Sequence, residues 1–269
     1  MNRTWIRTVL ALSVCLPLAA HAHKAWLLPS ETVLSNNGWI TVDAAVSNDL
    51  FYFNHAPMRV DNVRIVGPDG QLVSATNVNT GKYRSTFDLN LATSGTYKIA
   101  MVNQMLMAQY ETDKGEKKRW RGSPERFAQE VPANAKNLVV RQNQSRVETF
   151  VTAGKPNDTA LAPTGEGLEL VPMTHPNDLF AGEPAQFRFV LDGKPAPNVK
   201  VLLVPGGSRY RTKQNETELT ADAEGKITIT WPEAGMYWLE ASVEDNKASF
   251  EKATSRRASY VATFEVLPQ

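Results

Sequence analysis

Short runs of β-branched and aromatic residues, parted by Gly, Pro, Asn and Asp, recur along most of this chain. They include 39–47, 62–66, 82–89, 97–102, 146–152, 185–191, 198–204, 226–231 and 260–267. In Arg146-Val147-Glu148-Thr149-Phe150-Val151 polar and apolar residues alternate, the period at which a strand turns one face to a core and the other to water. Strands this short and this closely spaced predict immunoglobulin-like antiparallel β-sandwiches rather than parallel strand–helix units.

An internal repeat divides the pattern in two. Asn62-Val63-Arg64-Ile65-Val66 with the turn Gly67-Pro68-Asp69-Gly70 is echoed by Asn198-Val199-Lys200-Val201-Leu202 with Pro205-Gly206-Gly207. Farther on, Gly95-Thr96-Tyr97-Lys98-Ile99 is echoed by Gly235-Met236-Tyr237-Trp238-Leu239. A tyrosine entering a late strand just after a Gly turn suits a tyrosine corner, with its ring in the core and its hydroxyl on backbone. The expected fold is therefore all-β, two tandem antiparallel sandwiches over 23–153 and 167–269. A Pro/Gly/Thr-rich linker over 154–166 joins them, and a hairpin and short helix are inserted over about 104–135. Ser123 followed by Pro124 offers the start of that helix. The basic cluster Lys117-Lys118-Arg119 with Arg121 reads as a solvated hairpin face.

The first 22 residues have the layout of a secretory signal. Arg3 and Arg7 supply a positive start, 9–20 is a mostly apolar run, and Ala20 and Ala22 are the small residues before a cut. A twelve-residue run falls short of the roughly 20 needed to span a bilayer as a helix, and no later segment comes closer. The expectation is export to the periplasm with cleavage after Ala22. Cys15, the one cysteine of the 269 residues, would leave with the leader, which excludes a disulfide-stapled scaffold, a thiol nucleophile and a thiolate metal site. Loss of Arg3 and Arg7 takes the basic residues from 29 to 27 against 28 acids. A nearly neutral chain without a basic block gives no reason to expect nucleic acid or an anionic membrane surface as partner.

Cleavage after Ala22 would make His23 the first residue. A terminal histidine carries a free α-amine and an imidazole Nδ1, so it can chelate a borderline metal with two nitrogens. The connection 48–57 adds a third candidate. It is longer than its counterpart in the second copy, as the stretch from Gly38 to Asn62 outruns that from Gly182 to Asn198. It also holds Phe51-Tyr52-Phe53 and His55. In an up-and-down start, strand one begins at the end of the sandwich where strands two and three are joined. His23 and His55 are thus predicted at one pole although they lie far apart in the sequence. The amine, His23 Nδ1 and a ring nitrogen of His55 would suit Ni(II), Co(II), Cu(II) or Zn(II). Asp49 could add a carboxylate and Tyr52 could shield the site. Affinity should fall at low pH, since the amine and imidazoles must lose protons to bind. His175, in Thr174-His175-Pro176-Asn177-Asp178, reads as a turn residue, or as a late-joining ligand if the two halves fold together.

Several segments resemble one uncharacterised bacterial periplasmic family, a domain of unknown function often labelled as a periplasmic component of nickel or cobalt uptake transporters. They are His23-Lys24-Ala25-Trp26-Leu27-Leu28-Pro29, Val147-Glu148-Thr149-Phe150-Val151-Thr152, Gly167-Leu168-Glu169-Leu170-Val171-Pro172, and Gly193-Lys194-Pro195 with Thr220-Ala221-Asp222-Ala223-Glu224-Gly225. The resemblance implies tandem β-sandwiches, the second of transthyretin or carboxypeptidase-regulatory type, and an association with metal uptake through a membrane transporter. His23 is the one position it carries over as a functional residue.

Three functions follow. The first is a periplasmic protein that captures or hands over a divalent transition metal. The second is a non-catalytic module that binds an envelope glycan or protein through exposed aromatics such as Trp120. The third is a copper histidine-brace oxidoreductase, the one enzymatic reading available, since the chain shows no phosphate loop, HExxH motif or Ser-His-Asp order.

Overall fold

A computed structural model describes residues 23–269. The signal expected over 1–22, with Cys15 and the Ala20/Ala22 cleavage pair, lies outside the described residues. The structure is all-β and largely antiparallel. Among the described residues it has one short α-helix, Pro124–Glu130, beside the hairpin formed by strands Gly95–Glu111 and Lys117–Gly122.

The halves are joined more closely than tandem domains on a linker would be. Three strands of the first half, Val63–Val66, Gly95–Glu111 and Lys136–Ala153, form one continuous sheet with Ser255–Val266, Gly235–Asp245 and Lys200–Pro205 of the second. The seam is a parallel pairing of Lys136–Ala153 with Ser255–Val266, in register from Arg141↔Ser255 to Thr149↔Thr263. An outer sheet of the first half holds Lys24–Pro29, Gly38–Ser47 and Ser85–Leu91, and one of the second holds Leu168–Pro172, Pro184–Leu191 and Lys226–Thr230.

Because neighbouring side chains on a strand face opposite ways, the central sheet has two usable faces and the halves take one each. Val147 and Val151 point with Tyr97, Ile99 and Met101 into a core under the first outer sheet. Phe150 points the other way, with Tyr260 and Phe264, into a core under the second. Each half also reaches across the seam. Val204, Trp238 and Val261 of the second half pack in the first core, and the Trp238 indole N–H donates to the carbonyl of Ala25 at 2.9 Å. A third, smaller core of Leu106, Ala108, Phe127, Val131 and Val140 supports the hairpin and helix.

Both tyrosine corners are present. Tyr97 Oη donates to Thr93 O and Tyr237 Oη to Glu233 O, each at 2.8 Å. Ser123 precedes the helix without a side-chain capping bond. Trp120 is no free platform: its N–H donates to Glu130 at 2.8 Å and its ring packs edge-on against Phe127. Among the described residues, no helix is long and apolar enough to cross a membrane.

Candidate functional site

His23 stands at the open end of strand Lys24–Pro29, whose first residue pairs with Ser47, the last residue of Gly38–Ser47. The chain then loops through 48–55 and returns at Ala56, which pairs with Val46. The turn brings His55 back onto His23. The two imidazoles stack with centroids 3.7 Å apart and planes 14° from parallel. Both residues are exposed, and among the described residues neither ring takes part in a hydrogen bond.

The loop is held by its own polar groups and by its aromatics. Buried Ser47 accepts from the Trp26 indole N–H at 2.8 Å and donates to Asp49 O at 2.6 Å. Asn54 accepts from the backbone N–H of Asn48 at 3.1 Å and donates to Asp49 Oδ2 at 2.9 Å. Phe51 and Phe53 therefore serve as anchors, with ring centroids 5.6 and 5.5 Å from Trp26. Phe51 takes φ 60°, a left-handed conformation that a bulky residue adopts at a cost of about 1–3 kcal/mol. The packing on Trp26 holds that strained turn beneath the two histidines.

Donor chemistry at this pole fits a divalent transition ion in part. Metal–imidazole bonds of about 2.0–2.1 Å place cis nitrogens about 2.9 Å apart and trans nitrogens about 4.1 Å apart. The two ring centroids already stand 3.7 Å apart, in a stack rather than a ligating arrangement. Asp49 has one carboxylate oxygen on Asn54 and the other free of that bond. Among the described residues, no group of three or more His, Cys, Asp or Glu side chains converges. The third nitrogen of the expected set is a main-chain amine, which appears only on cleavage.

His175 does not join the pair. Strand Lys24–Pro29 runs away from His23 toward Thr32, whose carbonyl accepts from the backbone N–H of Thr152 at 2.8 Å. Thr152 belongs to the network that holds His175. His175 is thus tied in near the far end of that strand rather than at the His23 end. Its nitrogens are engaged there, Nε2 2.9 Å from Thr96 Oγ1 and Nδ1 accepting from Asn177 N at 3.2 Å.

The second half supplies what the sequence reading lacked. Its 206–214 loop lies against both histidine-bearing segments. The Arg209 guanidinium sits 4.0 Å from the Tyr52 ring centre, and Lys24 Nζ donates to Gln214 Oε1 at 2.6 Å. Tyr52 thus carries the neighbouring loop, and its phenol pushes the ionisation of Tyr210 upward. One signal points here: the connection after Pro205 is longer than its counterpart after Val66.

A family model described as "Domain of unknown function (DUF4198)" matches residues 20–245. The chain belongs to the DUF4198 family. The matched span takes in His23, His55 and the 206–214 loop, and stops before the seam strand Ser255–Val266. None of the curated proteins matches this DUF4198 chain. Among solved structures it is similar to the adhesin InvE of Yersinia pseudotuberculosis, at 14% identity and TM-score 0.22, covering 92% of this chain and 61% of that one. A second similarity is to the D0-D1 domain of intimin, at 12% identity and TM-score 0.21, covering 89% and 97%. A third is to the I-band fragment I67-I69 of titin, at 11% identity and TM-score 0.20, covering 92% and 66%.

Proposed function

We propose that this DUF4198 protein is a periplasmic carrier of a divalent transition metal, completed when a signal peptidase frees the amine of His23. The ion is its cargo, delivered to a membrane metal transporter. The observation that supports the reading is the convergence of His23 and His55, which come from separate segments of the chain and stack with their rings 3.7 Å apart. The ligand set is the His23 amine and Nδ1, a ring nitrogen of His55, and Asp49 as an oxygen donor.

The test uses mature protein beginning at His23, titrated with Ni, Co, Cu and Zn by calorimetry. One added Ala ahead of His23 should remove most of the affinity, and so should His55→Ala. Wild-type protein that takes up none of the four ions would end this reading.

One observation favours the glycan-binding alternative. Trp39 is 59% exposed on the open face of the first outer sheet. Thr41 stands on the same face, with Asp88, which accepts from Thr41 at 2.6 Å and from Asn77 at 2.8 Å. Retention on an insoluble glycan that Trp39→Ala abolishes and His55→Ala leaves intact would select that alternative.

A further inference from the structure

Two metal donors drawn from distant parts of a chain bind well only if the fold holds them close before the ion arrives. Freezing loose segments at the moment of binding costs affinity. In this protein both segments are gripped from outside the first half. Lys24 follows His23 directly, and the alternation along the strand turns its side chain inward, opposite to that of His23. There Lys24 is buried, its Nζ donates to Gln214 Oε1 at 2.6 Å, and it lies 5.8 Å from the Trp238 ring centre. Tyr52, in the loop that carries His55, receives Arg209 at 4.0 Å. Between the two grips, Gly206 lies so close to the histidine loop that a Cβ there would come within 3.1 Å of the Phe51 ring and 2.9 Å of Met236 O.

The gripping loop is stiffened from within. Arg211 donates to the carbonyls of Gly206 at 2.6 Å, Pro205 at 2.8 Å and Gln214 at 3.3 Å. Gly207 reverses the chain at φ 72°, opening the short 3₁₀ turn Ser208–Tyr210. The loop is therefore a braced unit with one contact on the His23 side and two on the His55 side.

Building on the metal-binding reading, we propose that the 206–214 loop is a clamp on the metal site, with Arg209 and Gln214 as positioning residues, so that metal occupancy and order in this loop rise and fall together. Linkage makes the effect reciprocal. If the closed loop raises metal affinity by some factor, bound metal favours the closed loop by the same factor. Loading of the site in the first half is thereby registered on the surface of the second, where Tyr210 is 80% exposed.

The experiment compares mature wild-type protein with the Arg209→Ala/Gln214→Ala double variant. Cu(II) and Ni(II) are the probes, and the readouts are calorimetry, dissociation rate and amide hydrogen exchange. The double variant should bind at least about fivefold more weakly, through faster dissociation, and its thermal midpoint in the absence of metal should fall modestly, because Gln214→Ala takes the acceptor from buried Lys24. In wild type, exchange at amides 206–214 should slow on metal addition. Tyr52→Leu, which removes the platform for Arg209 without altering the second half, should reproduce the loss. If wild type binds metal while the variants match it and loop exchange does not respond, the clamp is refuted and the metal site stands. If wild type binds neither of these ions nor Co(II) or Zn(II), both fall.

Discussion

His175 Nε2 lies 2.9 Å from the hydroxyl of Thr96, and the bonds around the pair fix which nitrogen carries the proton. Nδ1 accepts from the backbone N–H of Asn177, so Nε2 is protonated and donates to Thr96. Thr96 passes the chain to Thr152, Thr152 donates to Asn177 Oδ1, and Asn177 Nδ2 donates to Phe150 O. The first inter-strand loop of the second half is thereby tied to the end of the first.

The neutral ring is the form this network needs, because a second ring proton would evict the Asn177 N–H from Nδ1. Burial pushes the His175 pKa below 6.5, against the opposing pull of the Asp158 and Asp178 carboxylates. The folded value is thus lower than the unfolded one. The stabilisation is complete above about 6.5 and is lost as pH falls from there through the folded value. Urea midpoints measured from pH 8 to pH 5 should fall over that window in wild type and fall less in His175→Gln. Parallel curves for the two proteins would show that the network is not what titrates.

A second prediction concerns buried charge. Arg146 is 5% exposed and lies 3.1 Å from Glu148 and 3.4 Å from Glu169. Glu148 also accepts from Tyr260 Oη at 2.9 Å, and Glu169 from the Thr164 and Gly165 backbone N–H groups at 2.9 and 2.7 Å. Lys98 stands nearby, its pKa lowered by burial. Arg146→Met removes the one guanidinium between two buried carboxylates and should cost about 3–5 kcal/mol. Tyr260→Phe removes one bond to a charged acceptor and should cost about 1.5–3 kcal/mol. Chemical denaturation of the three proteins checks both, and a loss under about 1 kcal/mol for Arg146→Met would mean water reaches the cluster.

That cluster also marks how far the sequence could be read. Alternation in 146–151 identified a strand with one buried face, and Val147 and Val151 are on it. It could not disclose that the opposite face, with Arg146 and Glu148, is covered too. The cover is Thr164 and Glu166 of the connecting segment, which accept from Arg146, with Glu169 and Tyr260 of the second half, and nothing in the local period of the strand carries those contacts. The meeting of His23 with His55 was legible because strand order alone sets which loops share a pole. The 206–214 loop was not, since its grip on Lys24 and Tyr52 depends on the central sheet running through both halves. The seam itself pairs 141–149 with 255–263 in parallel, a long-range register that no pattern within either strand specifies.

The tyrosine corners supply a paired measurement. Each hydroxyl reaches back along its own chain, from Tyr97 to Thr93 and from Tyr237 to Glu233, and also accepts from the same residue's N–H at 3.0 and 3.3 Å. Removing either hydroxyl strands one carbonyl and one N–H at a turn that water can reach, so Tyr97→Phe and Tyr237→Phe should each cost about 0.5–1.5 kcal/mol. Thermal midpoints suffice to compare them. A change near zero in both would make the corners passive consequences of the sheet.

The glycine before each corner distinguishes strain from crowding. Gly95 and Gly235 both begin their strands, at φ 138° and φ 141°. An alanine at either position must hold a backbone conformation that L side chains rarely adopt, which costs about 1–3 kcal/mol. At Gly235 that is the whole effect, since a Cβ would meet nothing within 4 Å. At Gly95 a Cβ would stand 2.4 Å from Pro68 Cβ and 2.9 Å from Asn157 Oδ1, and that oxygen accepts the backbone N–H of Thr96. Gly95→Ala must therefore displace the 67–70 turn or break the Asn157 bond, and its loss should exceed that of Gly235→Ala by about 1 kcal/mol or more. Because Asn157 also donates its backbone N–H to Thr96 Oγ1, the same substitution should disturb the His175 network and flatten its pH dependence. Equal losses in the two variants, with the His175 titration unmoved, would show that the 67–70 turn yields freely and that crowding at Gly95 has no thermodynamic weight.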